Sequence, residues 1–164
     1  MRRPRTATTQ QARGRGSSVN LLFVLFVLIA TFVFAKLEIE IEGPHGWAEK
    51  LPTWRIEHHF LLDWLFGGRP LTGYHVWTFV FVLFLFHLPF FWSGTWAMRA
   101  ELHLLGGYLL FWLLEDMLWF IFNPHFGWKK FTKENVWWHK RWALGVPVDY
   151  WVAGALALGL LIVP

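Results

Sequence analysis

Two adjacent acidic residues, Glu115 and Asp116, lie inside an otherwise apolar and aromatic run from Leu102 to Phe122. This run is long enough to cross a bilayer, where a carboxylate is costly to ionise unless it has a partner or a function. Adjacent helical residues point about 100° apart, so the two carboxyls cannot face the same way. The pair predicts either proton or metal chemistry inside a helix bundle, or a buried ion pair that fixes helix packing.

Histidines are the natural proton partners for these carboxyls, because acid–base catalysis needs a carboxylate and an imidazole within hydrogen-bonding distance. If the apolar runs form antiparallel helices, several histidines fall at the same end of the bundle as the acidic pair. We therefore predict four catalytic candidates at that end: Glu115, Asp116, His139 and His59.

Paired histidines occur in the tetrapeptide Glu-His-His-Phe, residues 57–60. This tetrapeptide resembles the last histidine box of the membrane fatty-acid desaturases, which implies iron ligation, but the H-x-x-x-H boxes that complete such a di-iron site are missing. The residue types permit instead a single zinc or iron ion held by histidines and a carboxylate, with His58, His59 and His75 as candidate ligands. The alternative is that these histidines bind lipid headgroups.

A haem group would need two facing histidines at matched depth, and His87 and His103 are the obvious pair. His103 lies closer to its helix end than His87 does. The alternative for His87 is a hydrogen bond to the carbonyl that Pro89 frees within the helix. The sequence thus specifies no cofactor, although it permits one metal ion or a haem.

Indole rings and cations alternate in the segment 137–142, Trp-Trp-His-Lys-Arg-Trp. Such a segment could hold a lipid phosphate between cations and aromatic rings, and it could equally anchor the chain at the bilayer surface. The predicted headgroup-binding residues are Arg69, Trp138, Lys140 and Arg141.

Composition points to the membrane, since 55% of residues are hydrophobic, 20% are aromatic and only 16% are charged. Soluble domains carry about 25% charged residues. The net charge of +4 is dispersed and shows no basic stripe with base-reading side chains, so nucleic acid is not an expected partner. The absence of cysteine excludes disulfides, thiolate metal sites and cysteine nucleophiles.

The apolar runs predict an all-α integral membrane bundle with four transmembrane helices. A disordered basic tail over residues 1–18 precedes a single domain over 19–164. The expected crossings are residues 19–36, 75–92, 101–123 and 148–163, with short amphipathic interfacial helices at 53–66 and 132–143. Residues 36–42 alternate charged and aliphatic side chains, which predicts an extended segment. A cleaved signal peptide is the alternative for the first run, but no small-x-small site follows it.

Two functions remain open at this point. The small size and the lack of a strong catalytic motif favour a multi-pass subunit, lipid-binding or assembly protein of the cell membrane. Membrane lipids are its expected partners, and small residues on the fourth helix could pack against another copy or another protein. The alternative is a membrane-embedded enzyme that acts on a lipid or isoprenoid-like substrate by carboxylate and histidine chemistry, with or without a metal.

Overall fold

The computed structural model describes residues 20–65 and 67–163, so the predicted basic tail at 1–18 lies outside the described residues. The described chain is mostly helical. Its helices are α1 Leu21–Glu42, α2 Phe60–Leu65, α3 Gly73–Ser93, α4 Met98–Phe122 and α5 Val148–Leu161, with a 3-10 turn at Trp128–Lys130. Its strands are β1 Arg55–Ile56, β2 Leu71–Thr72, β3 Trp142–Ala143 and β4 Val146–Pro147.

Three of these helices, α1, α3 and α4, are long and apolar enough to cross a membrane. These three helices fit a membrane protein, and they coincide with the predicted crossings at 19–36, 75–92 and 101–123 as candidate spans. Helix α5 has 14 residues, which at 1.5 Å per residue gives about 21 Å against a hydrocarbon thickness of about 30 Å. The fourth crossing therefore stays a prediction.

Helix α1 continues to Glu42, so the predicted extended segment at 36–42 is wrong. Backbone groups near lipid must bond internally, and no helix breaker occurs before Gly43, whose N–H bonds to the carbonyl of Ile39 at 2.8 Å. Residues four apart share a helix face. Glu38 and Glu42 are accordingly both buried, whereas Glu40 between them is exposed.

The predicted interfacial helix at 53–66 is too long, because its described residues are helical only over α2 and the part before Phe60 is not helical. Strand β1 pairs antiparallel with β2 in the register Arg55 to Thr72. The Arg55 guanidinium bonds to the carbonyl of Ala48 and to that of Leu51 at 3.3 Å. The strand pairing and the Arg55 hydrogen bonds hold the segment extended. Hydrophobic periodicity does not predict either of them.

No helix forms at 132–143 in the part of the chain that the structure describes, which corrects the second interfacial prediction. Strands β3 and β4 form a tight hairpin there, in the register Trp142 to Pro147. Its two turn residues, Leu144 (φ 55°) and Gly145 (φ 76°), adopt the left-handed conformations that a two-residue hairpin turn requires. Val136 and Trp138 of this segment pack onto Trp119 and Phe120 of α4.

Helix α4 is the central element, since it packs along α1 and α5 and makes a smaller contact with α3. One buried cluster joins α1, α3 and α4 through Val27, Val82, Phe86, Leu104 and Phe111. A second cluster packs the connector between α4 and α5 against α1 and α4, through Ile39, Trp119, Phe120, Val136 and Trp138. The connector is thus a folded cap over one end of the bundle.

Candidate functional site

A cavity of about 340 Å³ lies at the capped end of the bundle, where α1 ends and where α3 and α5 begin. Its lining is divided between ionisable and aromatic groups. The ionisable lining residues are Glu38, Glu42, Arg69, His75, Glu115, Asp116, His139 and Asp149, and the aromatic ones are Trp47, Phe79, Tyr108, Trp112, Trp119, Trp138 and Tyr150. The volume falls in the usual range of small-molecule sites, about 300–1,000 Å³.

His139 is held between two carboxylates that belong to different helices. Its Nε2 lies 3.0 Å from Oδ2 of Asp116 on α4, and its Nδ1 lies 2.9 Å from Oδ2 of Asp149 on α5. The Tyr150 hydroxyl donates to the same oxygen of Asp116. The Arg69 guanidinium pairs with Asp149. These groups form one hydrogen-bonded chain from Asp149 to Tyr150.

Two opposing effects act on His139, whose side chain is 1% exposed. Burial and the positive charge of Arg69 lower its pKa, but the charge of Asp116 and the hydrogen bonds to Asp116 and Asp149 outweigh them and hold the pKa above its ordinary value. With an acceptor facing each ring nitrogen, the protonated imidazole satisfies both contacts. His139 is therefore built to hold a proton between two carboxylates.

A second cluster comprises Glu38 and Glu42 of α1 and His75 of α3. One ligand atom from each of these residues lies within 4.8 Å of the others. All three residues are buried. The Glu42 carboxylate also accepts the backbone N–H of Ala48, which holds it in place.

The imidazole of His75 is oriented by its neighbours. Its Nδ1 lies 2.7 Å from the hydroxyl of Thr72, which also caps the start of α3. The indole of Trp47 stacks on the imidazole with 3.9 Å between ring centroids, and the guanidinium of Arg69 lies 4.3 Å above the Trp47 ring. Since Thr72 occupies Nδ1, the nitrogen left for a ligand is Nε2.

The turn that carries Trp47 is strained. Trp47 (φ 56°) and Ala48 (φ 50°) are consecutive non-glycine residues in the left-handed region, where each costs on the order of 1–3 kcal/mol. The bond from Ala48 to Glu42 and a 2.7 Å bond from Trp47 Nε1 to the carbonyl of Pro70 hold this conformation. This conformation places the indole over His75.

Glu115 lies against Glu38 across the contact between α4 and α1. Glu115 is 4% exposed, and its Oε1 has no hydrogen-bond partner among the described residues. An unpartnered buried carboxyl oxygen costs roughly 1–3 kcal/mol. The side chain therefore has the capacity to bind something in the cavity.

The structure brings three of the four predicted catalytic residues to this cavity: Glu115, Asp116 and His139. His59 is exposed beside α2 and does not line it. The predicted metal-ligating trio is likewise divided, because His75 lines the cavity while His58 has an 86% exposed side chain next to Asp63. The catalytic and ligand roles themselves remain predictions.

The four predicted headgroup-binding residues fall into two pairs. Arg69 and Trp138 line the cavity, and Trp138 is packed in the second buried cluster. Lys140 and Arg141 are exposed, and the Lys140 ammonium lies 5.4 Å from the Trp137 ring centroid. Only the exposed pair has the geometry of interfacial anchors.

The histidines considered for haem are satisfied by the protein. His87 Nδ1 lies 2.7 Å from the carbonyl of Leu83 and its Nε2 lies 3.1 Å from Glu101. His103 Nε2 lies 3.0 Å from the carbonyl of Val163.

Among the residues of the two polar clusters, sequence reasoning missed Glu38, Glu42, Asp149 and Tyr150. The first two could have been found from their four-residue spacing, which places two carboxyls on one helix face. The alternation of Glu with Leu and Ile around Glu38 and Glu42 has period two, which predicts an extended segment instead. Nothing in the sequence marks Asp149 as a site residue, since a single acidic residue before an apolar run is common at the start of a helix.

No protein-family model, characterised protein or solved structure matches the chain.

Proposed function

We propose that this protein is a membrane-embedded enzyme that acts on a lipid or isoprenoid-like substrate by proton transfer between carboxylate and imidazole groups. The observation that carries the proposal is the buried His139, held between Asp116 and Asp149 in a cavity that contains further carboxyls. A purely structural ion pair would account for one such contact. It would not account for Glu115, whose Oε1 is left without a partner among the described residues.

The hydrogen-bonded chain offers a route for a proton. The Asp149 side chain is 39% exposed and that of Asp116 is 26% exposed, with the 1% exposed His139 between them. A proton taken up by Asp149 can pass through the imidazole to Asp116, which lines the cavity. In this proposal Asp116 donates or accepts the proton at the substrate, and His139 resupplies or removes it.

The two halves of the lining favour an amphipathic substrate. Phe79, Leu109, Leu113 and Ala153 supply apolar surface, and Arg69 lies at the polar end. An apolar tail can lie along α4 while a polar group faces the carboxyls and the imidazole. The chemistry on such a substrate would take place at the membrane surface, where the connector excludes bulk water.

A second candidate is the non-enzymatic lipid-binding or assembly subunit, which one observation favours. Ala157 of α5 is buried, whereas Ala155 and Gly159 on another side of the helix are exposed. That open face of small residues is suited to close packing with another copy or another membrane protein. The buried ionisable network speaks for the enzyme, because such a subunit does not require it.

We infer in addition that α5 is a fourth crossing and that the protein resides in the cell membrane. The contact between His103 and the carbonyl of Val163 supports the first point, because it places the end of α5 beside the start of α4. The charged and aromatic connectors would then share one membrane face.

The test compares lipids before and after exposure to the purified protein. We expect wild-type protein, reconstituted into vesicles of total host lipid, to deplete one lipid class and generate a product visible by mass spectrometry. Asp116→Asn and His139→Gln should each reduce product at least tenfold while remaining folded by gel filtration. Lys133→Gln, an exposed change in the same connector, should retain full turnover. Identical lipid profiles for wild type and both site variants would overturn the enzymatic proposal.

A further inference from the structure

We propose that Glu38, Glu42 and His75, with Glu115 opposite them, bind one divalent transition-metal ion. The binding rests on the geometry of these four side chains. Only a catalytic use of the metal rests on the function proposed above. This set differs from the trio expected from the sequence, because His58 and His59 are replaced by two carboxylates of α1.

The spacing of the ligand atoms fits a single ion. Bonds of about 2.0–2.2 Å to a first-row metal put two ligand atoms on one ion at most about 4.4 Å apart. The atoms of Glu38, Glu42 and His75 already lie within 4.8 Å of one another. Shifts of these side chains by a few tenths of an ångström would bring all three ligand atoms within bonding distance of one ion.

Charge balance supports a cation at this point. Glu38, Glu42 and Glu115 are all buried, and Glu38 and Glu115 lie against each other. Several carboxylates crowded together in a low-dielectric setting repel one another unless a proton or a cation lies between them. A divalent ion compensates two negative charges at once. It also gives the Oε1 of Glu115, which lacks a partner among the described residues, a bond to make.

The donor types select the class of metal. Carboxylates with one imidazole suit Mn²⁺, Fe²⁺ and Zn²⁺, whereas Mg²⁺ and Ca²⁺ prefer oxygen ligands alone. The outer contacts are those of a ligating histidine, since Thr72 bonds the Nδ1 of His75 and Trp47 stacks on the ring. The metal would lie in the same cavity as His139, where it could polarise a bound oxygen atom.

The experiment measures metal content directly. The full chain is purified in detergent with a histidine-free tag, after growth with added manganese, iron and zinc, and its metal is quantified by mass spectrometry. We expect about one of these ions per chain. Glu38→Gln and His75→Gln should each lower bound metal at least tenfold.

Glu40→Gln is the matched control, because Glu40 lies between the two α1 ligands but is exposed. It should keep wild-type metal content. A second measurement guards against misfolding: Glu38→Gln removes a repelling charge, so its melting temperature should equal or exceed that of chelator-treated wild type, and Mn²⁺ or Zn²⁺ should raise only the wild-type value.

Metal-free wild type that stays metal-free on titration with all three ions would overturn the site, as would metal content unaffected by Glu38→Gln and His75→Gln. Lipid turnover is a separate readout. A protein that binds metal but leaves lipid unchanged would refute the enzymatic proposal alone. Turnover that persists after the metal is removed would refute a catalytic use of the metal alone.

Discussion

At the scale of single residues, His139 and the carboxyls of α1 show how position decides the chemistry of a side chain. His139 and His58 are the same residue type in two polar connectors, yet the first is sealed between two carboxylates and the second is exposed to solvent. Glu38 and Glu40 differ in the same way within one helix, because one faces α4 and the other faces outward.

The raised pKa of His139 predicts how stability depends on pH. The folded protein binds this proton more tightly than the unfolded chain does. The stabilisation is therefore complete below the unfolded pKa of about 6.5 and is lost as the pH rises through the folded pKa. We expect the melting temperature in detergent to fall as the pH rises above about 6.5.

The variant that isolates this effect is His139→Gln. It should melt at a lower temperature than wild type at pH 6, and the difference between the two proteins should shrink as the pH rises. His58→Gln, whose side chain is 86% exposed in the native protein, should follow the wild-type curve. A constant difference between wild type and His139→Gln across this range would contradict the assigned charge of the imidazole.

At the scale of elements, the close approach of α4 and α5 depends on small residues. A side-chain carbon added at Gly106 would lie 2.9 Å from Cγ of Leu161 and 3.0 Å from the carbonyl oxygen of Ala157. The backbone oxygen cannot rotate away, so the two helices would have to separate. Since Asp116 and Asp149 lie on these two helices, their spacing around His139 depends on this contact.

Two glycine substitutions test that packing with opposite expected signs. Gly106→Ala should lower the free energy of unfolding by about 1–3 kcal/mol through overpacking. Gly159→Ala should raise it by about 0.5–1 kcal/mol, because alanine favours the helix and the added carbon has no neighbour within 4 Å. Denaturation in mixed micelles measures both. Equal effects of the two changes would show that α5 does not pack on α4 as described.

At the scale of the whole molecule, the connectors α1–α3 and α4–α5 meet at one end of the bundle and enclose the cavity. Buried aromatic contacts between Trp138, Phe120 and Trp119 hold the second connector in place. Asn123, which follows α4, donates a 2.8 Å hydrogen bond from Nδ2 to the carbonyl of Gly43, which follows α1. This bond joins the ends of the two helices. The site is thus assembled from four helices and two connectors.

This arrangement predicts the sidedness of the chain. The natural sequence has no cysteine, so single cysteines at His58, Thr95, Lys133 and Ile162 can be labelled with a membrane-impermeant maleimide in oriented vesicles. We expect positions 58 and 133 to label from one face, and positions 95 and 162 from the other. If position 162 were reached from the face of position 133, α5 would be a re-entrant helix rather than a fourth crossing.

The amino-acid sequence by itself indicated the membrane setting, because a chain this small cannot bury several long apolar helices without lipid around them, and α1, α3 and α4 are long and apolar enough to cross a membrane. It also pointed to Glu115, Asp116 and His139 as residues of the site, since a single ionisable group in or beside an apolar run can be recognised without knowing its neighbours in space. Only the tertiary structure decided where α1 ends, how both connectors fold and which groups contact each buried carboxyl. Those features depend on contacts between residues far apart in the chain, as with Glu38 and Glu115, and local periodicity carries no record of such contacts.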